Sequence, residues 1–170
     1  MITKETSQSK IISLAPACSC KDCSHGCTMG SGVLAKGEIK SMAAFLSVSE
    51  KELKKKHLEE VELFHKKKWR PKLLRKDGKP YGKCTFFSEG KCKVHSAKPL
   101  QCKISMGCKE YGEDLNLWFM LNHIVDVGDP ESVRQYASYL KAGGKTLSGG
   151  KLQELVSDEE KLKKMLNYEI

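Results

Sequence analysis

Missing from the sequence is any apolar run near the length of about 18 residues that a membrane-crossing helix requires. Residues 1–12 place Lys4, Glu5 and Lys10 in a polar stretch, where a secretory leader would carry an apolar core of about seven residues or more. These absences predict a cytoplasmic chain with no membrane partner, in a compartment that keeps thiols reduced. Nucleotide machinery is missing too: there is no Gly-x-x-x-x-Gly-Lys-Ser/Thr phosphate cradle and no Gly-x-Gly-x-x-Gly between a strand and a helix. The Cys-x-x-x-Cys-x-x-Cys order of radical-type cluster enzymes is absent, as are paired Cys-x-x-Cys hooks and any internal repeat. The sequence therefore names no substrate and no catalytic constellation, and leaves open whether the chain is an enzyme.

What the chain does hold is cysteine, in two groups with none left over: Cys18, Cys20, Cys23 and Cys27, then Cys84, Cys92, Cys102 and Cys108. In a reducing compartment such groups read as metal ligands rather than disulfides. Thiolates bind zinc and iron–sulfur clusters strongly, and close spacing in sequence lets them meet at one centre with little loop-closure cost. Cys20 and Cys23 form a Cys-x-x-Cys pair, while the second group contains no close pair. A dense cysteine loop with distant additional ligands is the pattern of iron–sulfur binding, most simply a 4Fe–4S cluster; zinc remains the alternative. All eight cysteines are candidate ligands, in one or two sites, and a site can draw from both groups. His25 and His95 are further candidates.

The formal charge of +9 and the 30 lysines and arginines raise a nucleic-acid reading. Eight thiolates around two divalent ions would take four charges off that total, so part of the basicity balances anionic metal sites. Lys54-Lys55-Lys56, Lys66-Lys67-Lys68-Trp69-Arg70 and Lys72 to Lys79 concentrate the basic residues, with Trp69 available to stack. Glu59, Glu60 and Glu62 interrupt them, which favours a solvated face over a nucleic-acid groove.

Length and a 39% hydrophobic content suit one small domain, α+β and mainly helical, with irregular cysteine-rich metal-binding loops. Residues 1–17 read as a flexible lead, 18–112 as the metal-binding domain, and 113–170 as a helical extension packed on it. A short helix is expected over Glu38–Leu46. A longer one is expected from Glu50 to about Lys67, opened by a Ser49/Glu52 capping box. Lys76–Pro80 reads as a turn, and Tyr81–Phe87 with Lys91–His95 as a hairpin closed at Ser88-Glu89-Gly90. Leu115–Val127 is an apolar stretch for the core. Asp129-Pro130-Glu131 opens a helix that Gly143-Gly144 stops, and Ser157/Glu160 caps a last one ending near Asn167.

The order Cys20-Lys21-Asp22-Cys23, Cys27, then Cys84-Thr85-Phe86-Phe87, Gly90-Lys91-Cys92-Lys93-Val94-His95 and Lys98-Pro99-Leu100-Gln101-Cys102-Lys103 resembles the YkgJ-type cysteine-cluster proteins. They are also called the CxxCxxCC, zinc- or iron-chelating, family. The resemblance covers about residues 18–108. It implies a metal or iron–sulfur centre, and its members commonly carry the label of iron–sulfur oxidoreductase, with a similar module in a flagellin lysine methylase. Electron transfer or cluster carrying, with an unnamed redox or protein partner, is the role it implies; a zinc-stabilised nucleic-acid- or protein-binding module is the other. The family's adjacent Cys-Cys is absent: Cys27 stands alone and Cys18 is added upstream, while Lys98 and His95 stand where arginine and tyrosine are usual.

Overall fold

The charged segment after Ser49 is where the chain departs furthest from its local pattern. The computed structural model describes residues 1–18 and 20–170. Helix α4 (Glu50–His57) starts as expected, with Ser49 Oγ accepting from the Glu52 amide, but it ends at His57 rather than Lys67. The chain then forms an antiparallel hairpin, β1 (Leu58–Leu63) with β2 (Lys66–Pro71). Its register sets Glu59 opposite Arg70 and Glu62 opposite Lys67, so opposite charges face each other across the ladder. Val61 and Leu63, two residues apart, pack on the main core, and Leu58 enters a second cluster.

The hairpin turn is Phe64-His65, both at positive φ (47° and 60°), where glycine and asparagine are usual. Tertiary contacts hold it. The Phe64 ring meets Tyr136 and Tyr139 edge-on, each at 5.8 Å between centroids. His65 Nδ1 lies 2.7 Å from Asp129 Oδ2, and Lys66 pairs with Asp126.

Earlier in the chain, α1 (Gln8–Leu14), α2 (Lys21–Met29) and α3 (Glu38–Leu46) precede this hairpin. The expected flexible lead over residues 1–17 is instead pinned: Ile11 is fully buried, Trp118 Nε1 donates to the Thr6 carbonyl at 2.7 Å, and Tyr111 Oη donates to the Leu14 carbonyl at 2.9 Å. Beyond β2, β3 (Leu73–Arg75) pairs with β4 (Gly82–Cys84) around the Asp77-Gly78 turn. The smaller hairpin is β5 (Phe87–Ser88) with β6 (Lys91–Cys92), turned at Glu89-Gly90. The single hairpin expected over 81–95 is thus split, because Gly82–Cys84 pairs backwards with β3.

A 3-10 turn at His95–Ala97 leads to α5 (Leu100–Ile104), then α6 (Gly112–Phe119), which continues as a π-helical turn over Met120–Ile124. Helix α7 (Pro130–Lys141) begins on Asp129, whose carboxylate accepts from the Glu131 amide, with Pro130 at its first position. After α8 (Leu152–Leu155), α9 (Glu159–Leu166) is capped by Asp158, not Ser157: Asp158 Oδ1 accepts from the Lys161 amide at 2.9 Å.

The architecture is α+β and mainly helical. The main core joins Ile2, Ile11, Ile104, Leu115, Phe119 and Tyr136, residues from all three expected segments. A second cluster of Leu34, Met42, Leu53, Leu58, Phe86 and Val94 also contains Cys84, and Cys92 packs against it. The cysteine loops therefore sit on a hydrophobic base. No helix among the described residues is long and apolar enough to cross a membrane.

Candidate metal centre

Helix α2 supplies the first cysteines. Cys20 is its N-cap, and Cys23 and Cys27 follow at one-turn spacing on one face. No residue of α2 is buried, because that face borders a cleft rather than core. Helix α2 packs against β4, which ends in Cys84; β6 ends in Cys92; α5 carries Cys102. The cleft between them has a volume of about 340 Å³, and six of the eight cysteines line it: Cys18, Cys23, Cys27, Cys84, Cys92 and Cys102. Lys91, Lys98 and Lys103 stand at its walls, where ammonium charge would offset metal-bound thiolates.

The thiols fall into two sets by their mutual charge effects. Burial, then the neighbouring Cys92, pushes Cys27 up. Burial pushes Cys84 up to about 11, with Cys27 and Cys92 adding to it. Cys102 is pushed up to about 12 by burial, and Cys84, Cys27 and Cys92 raise it further. Cys102 is partly buried and lines the cleft. Cys27, Cys84, Cys92 and Cys102 thus form a quartet drawn from four separate elements.

The other set is Cys18, Cys20 and Cys23, whose sulfurs all lie within 4.8 Å of one another. The Cys20 amide donates to Cys18 Sγ at 3.4 Å. The Cys20 thiol is lowered to about 7, first by the Cys23 amide and then by Cys18 and Cys23 thiols; Cys23 is raised to about 12, first by burial and then by Cys20. Cys108 belongs to neither set: it is exposed and does not line the cleft. His95 does line the cleft, whereas His25 points from the exposed side of α2.

Donor chemistry and spacing test which metal fits. Zn–S bonds of about 2.3 Å place tetrahedral sulfurs about 3.8 Å apart, and the trio already approaches that. Among the described residues no other three donors converge as tightly, so the quartet is wider than a single-ion site. A four-iron cluster, with one cysteine on each corner iron, spreads its ligands more than one ion does. Both donor sets are all-thiolate, and both fit a thiophilic metal.

A family model described as "Putative zinc- or iron-chelating domain", CxxCxxCC, matches residues 19–118. The chain belongs to the CxxCxxCC family. No curated protein and no solved structure matches it. The CxxCxxCC match spans the whole quartet and stops one residue short of Cys18, so the third sulfur of the trio lies outside the matched stretch.

Several positioning groups carry no sequence signal. Glu38 accepts from the Ala35 amide and from the Leu100 amide, each at 2.7 Å, tying the start of α5 to α3 two residues before Cys102. Gln101 Oε1 accepts from the Val33 amide at 2.7 Å, and Ser31 Oγ donates to the Pro71 carbonyl. Gly32 sits directly on the site: a Cβ there would stand 2.7 Å from Cys102 Sγ. Apart from the local Ala35–Glu38 bond, these contacts join residues tens of positions apart, which local spacing does not encode.

Because the enclosed thiols hold their protons at neutral pH, metal entry must displace them. Metal affinity is expected to rise with pH by more than one proton per bound centre, and acid should release the metal; competition titrations across pH 6 to 9 measure this. The sign reverses for the metal-free fold. Thiols raised by burial contribute stability below their ordinary range of about 8.5, and that contribution is lost as pH climbs through the raised values.

Proposed function

We propose that the Cys27, Cys84, Cys92 and Cys102 quartet holds an iron–sulfur cluster, and that the protein works in electron transfer or cluster carrying. The width of the quartet carries this reading: four thiols on four elements surround a cleft rather than closing on one point. A cluster bound there would supply one-electron chemistry. The chain's own contribution is positional. The second hydrophobic cluster backs Cys84 and Cys92, Glu38 and Gln101 hold α5, and Lys91, Lys98 and Lys103 offset the negative charge of the bound thiolates. Cys27, Cys84, Cys92 and Cys102 would hold such a cluster with no open position, which suits electron transfer better than substrate turnover. Purification without oxygen, with iron, acid-labile sulfide and zinc measured per chain, tests it. Iron with matching sulfide and a brown visible spectrum is the expected result, and a colourless protein carrying only zinc contradicts it.

A second reading rests on a separate cleft of about 390 Å³ lined by Lys36, Lys40, Lys67, Lys68 and Trp69, with Glu50 its one acid. Lys54 lies over the Trp69 ring, 5.4 Å from its centroid. A basic cleft beside a tryptophan supports the reading of a zinc-stabilised nucleic-acid-binding module. On that reading, elution from heparin shifts steeply with salt, and Lys36→Glu with Lys40→Glu abolishes retention without loss of metal.

A further inference from the structure

We propose that the lysine-lined cleft beside Trp69 is an effector site of the metal centre: a phosphate-bearing ligand held there and the metal held by the quartet each tighten the binding of the other, through the segment of residues 30–37 that walls both clefts. It rests on the reading that the quartet is a metal centre. Gly30 and Ser31 line the metal cleft, and Leu34, Ala35, Lys36 and Gly37 line the basic one. Between them Gly32 stands so close to the quartet that an added Cβ would lie 2.7 Å from Cys102 Sγ.

The chemistry of the basic cleft selects the ligand. Its volume is about 390 Å³, and Lys36, Lys40, Lys67 and Lys68 line it against the single acid Glu50. Among the described residues Lys67 pairs with Glu60 at 3.5 Å, while Lys36, Lys40 and Lys68 make no ion pair. Lys68 is half-buried, and burial, then the neighbouring Lys66, push its ammonium down with Asp126 opposing them. An anion in the cleft restores that charge. A phosphate group carries several acceptor oxygens and can take charge-assisted hydrogen bonds from more than one ammonium at once.

The shared wall is laced to both sides. Ser31 Oγ donates to the Pro71 carbonyl at 2.7 Å and the Leu34 amide to the Trp69 carbonyl at 2.8 Å, so the segment runs beside β2, which carries Lys67 and Lys68. The Val33 amide donates to Gln101 Oε1, and Glu38 accepts from the Ala35 and Leu100 amides, all at 2.7 Å, so the same segment is held to α5, which carries Cys102. With Cys102 fixed in a loaded centre, α5 and therefore Lys36 are fixed too. With Lys36 and Lys40 drawn onto an anion, the segment is held against α5. Both ligands favour the same held arrangement, so the coupling is positive and, by linkage, equal in the two directions.

Protein purified without oxygen, retaining its own metal, is challenged with excess EDTA alone, with adenosine monophosphate, or with a single-stranded DNA oligonucleotide, at an ionic strength matched with chloride. Metal loss should be slower with the probe bound, and calorimetry should find the probe at least about fivefold tighter on the loaded protein than on protein stripped of metal. Protection by the monophosphate supports a free phosphate compound as the ligand, and protection by the oligonucleotide alone supports a nucleic-acid strand. Lys36→Glu with Lys40→Glu should abolish probe binding and protection while the far-UV spectrum and the metal content stay unchanged. Equal binding to loaded and stripped protein, with no protection, would overturn the coupling and leave the basic cleft a site of its own. No binding of either probe, or protection that survives the double variant, would overturn the site itself. Should stripping unfold the chain, the EDTA arm decides alone. Metal kept by Cys102→Ser would instead overturn the quartet reading, and the proposal with it.

Discussion

Cys102→Ser is expected to empty the cleft of metal and to lower the melting temperature to that of the metal-free protein. Binding of a structural metal by thiolates contributes on the order of 10–16 kcal/mol of apparent free energy in small domains. The whole stability of an ordinary domain is about 5–15 kcal/mol. Cys102 is the member of the quartet that feels all three of the others, so serine there leaves three thiols, one of them the buried Cys84, around an incomplete site. Cys108→Ser serves as the comparison, because its side chain is exposed and outside the cleft. It should keep both metal content and melting temperature. Metal stoichiometry by elemental analysis and thermal unfolding by circular dichroism read the two outcomes; an unchanged Cys102→Ser protein removes Cys102 from the centre.

Gly32→Ala is the second large effect; the sequence marks Gly30-Ser31-Gly32 only as a glycine-rich turn, not its contact with Cys102. The added methyl would lie 2.7 Å from Cys102 Sγ, 3.1 Å from the Cys102 amide nitrogen and 3.2 Å from Gln101 Cβ. Two of those neighbours belong to the backbone or stem of α5, which Glu38 and Gln101 fix in place, so the sulfur has to move. Changes to groups that orient metal ligands typically cost about 10–100-fold in affinity. We expect at least that loss at the quartet, with helical content retained, and a smaller effect on the metal-free protein than on the loaded one. Equal destabilisation of both forms would mean that the contact is only a packing constraint.

The parts of the fold that were legible in sequence are those set by neighbours in the chain. Ser49 before α4, Asp129-Pro130 before α7 and the Asp77-Gly78 turn each carry their own capping or turn chemistry. The β1–β2 hairpin was hidden for the opposite reason. Its Phe64-His65 turn adopts a left-handed backbone that neither residue favours locally, and what holds it there is Tyr136, Tyr139 and Asp129, more than sixty positions away. A lysine- and glutamate-rich run continuing from α4 reads as helix until that contact is known. The anchoring of residues 1–17 was hidden in the same way, since Ile11 is buried in a cluster shared with residues as distant as Ile104 and Phe119.

At the site, the cysteines were plain and their grouping was not. Spacing suggested one N-terminal and one distal set, whereas packing of α2 on β4 turns Cys27 toward the distal cysteines and leaves Cys18, Cys20 and Cys23 together. Cys27 sits one helical turn beyond Cys23, and whether it joins one set or the other depends on what α2 packs against. Cys108, counted among the ligands by sequence, is placed outside both sets.

The most direct test of this division is a cysteine alkylation map of the protein as purified without oxygen, read by mass spectrometry before and after removal of its metal. Protection of Cys27, Cys84, Cys92 and Cys102 as a unit, lost together when the metal is removed, with Cys108 alkylated at once in both states, is the predicted result. Protection of Cys108 together with part of the quartet, while Cys27 or Cys102 reacts freely in the loaded protein, would contradict it.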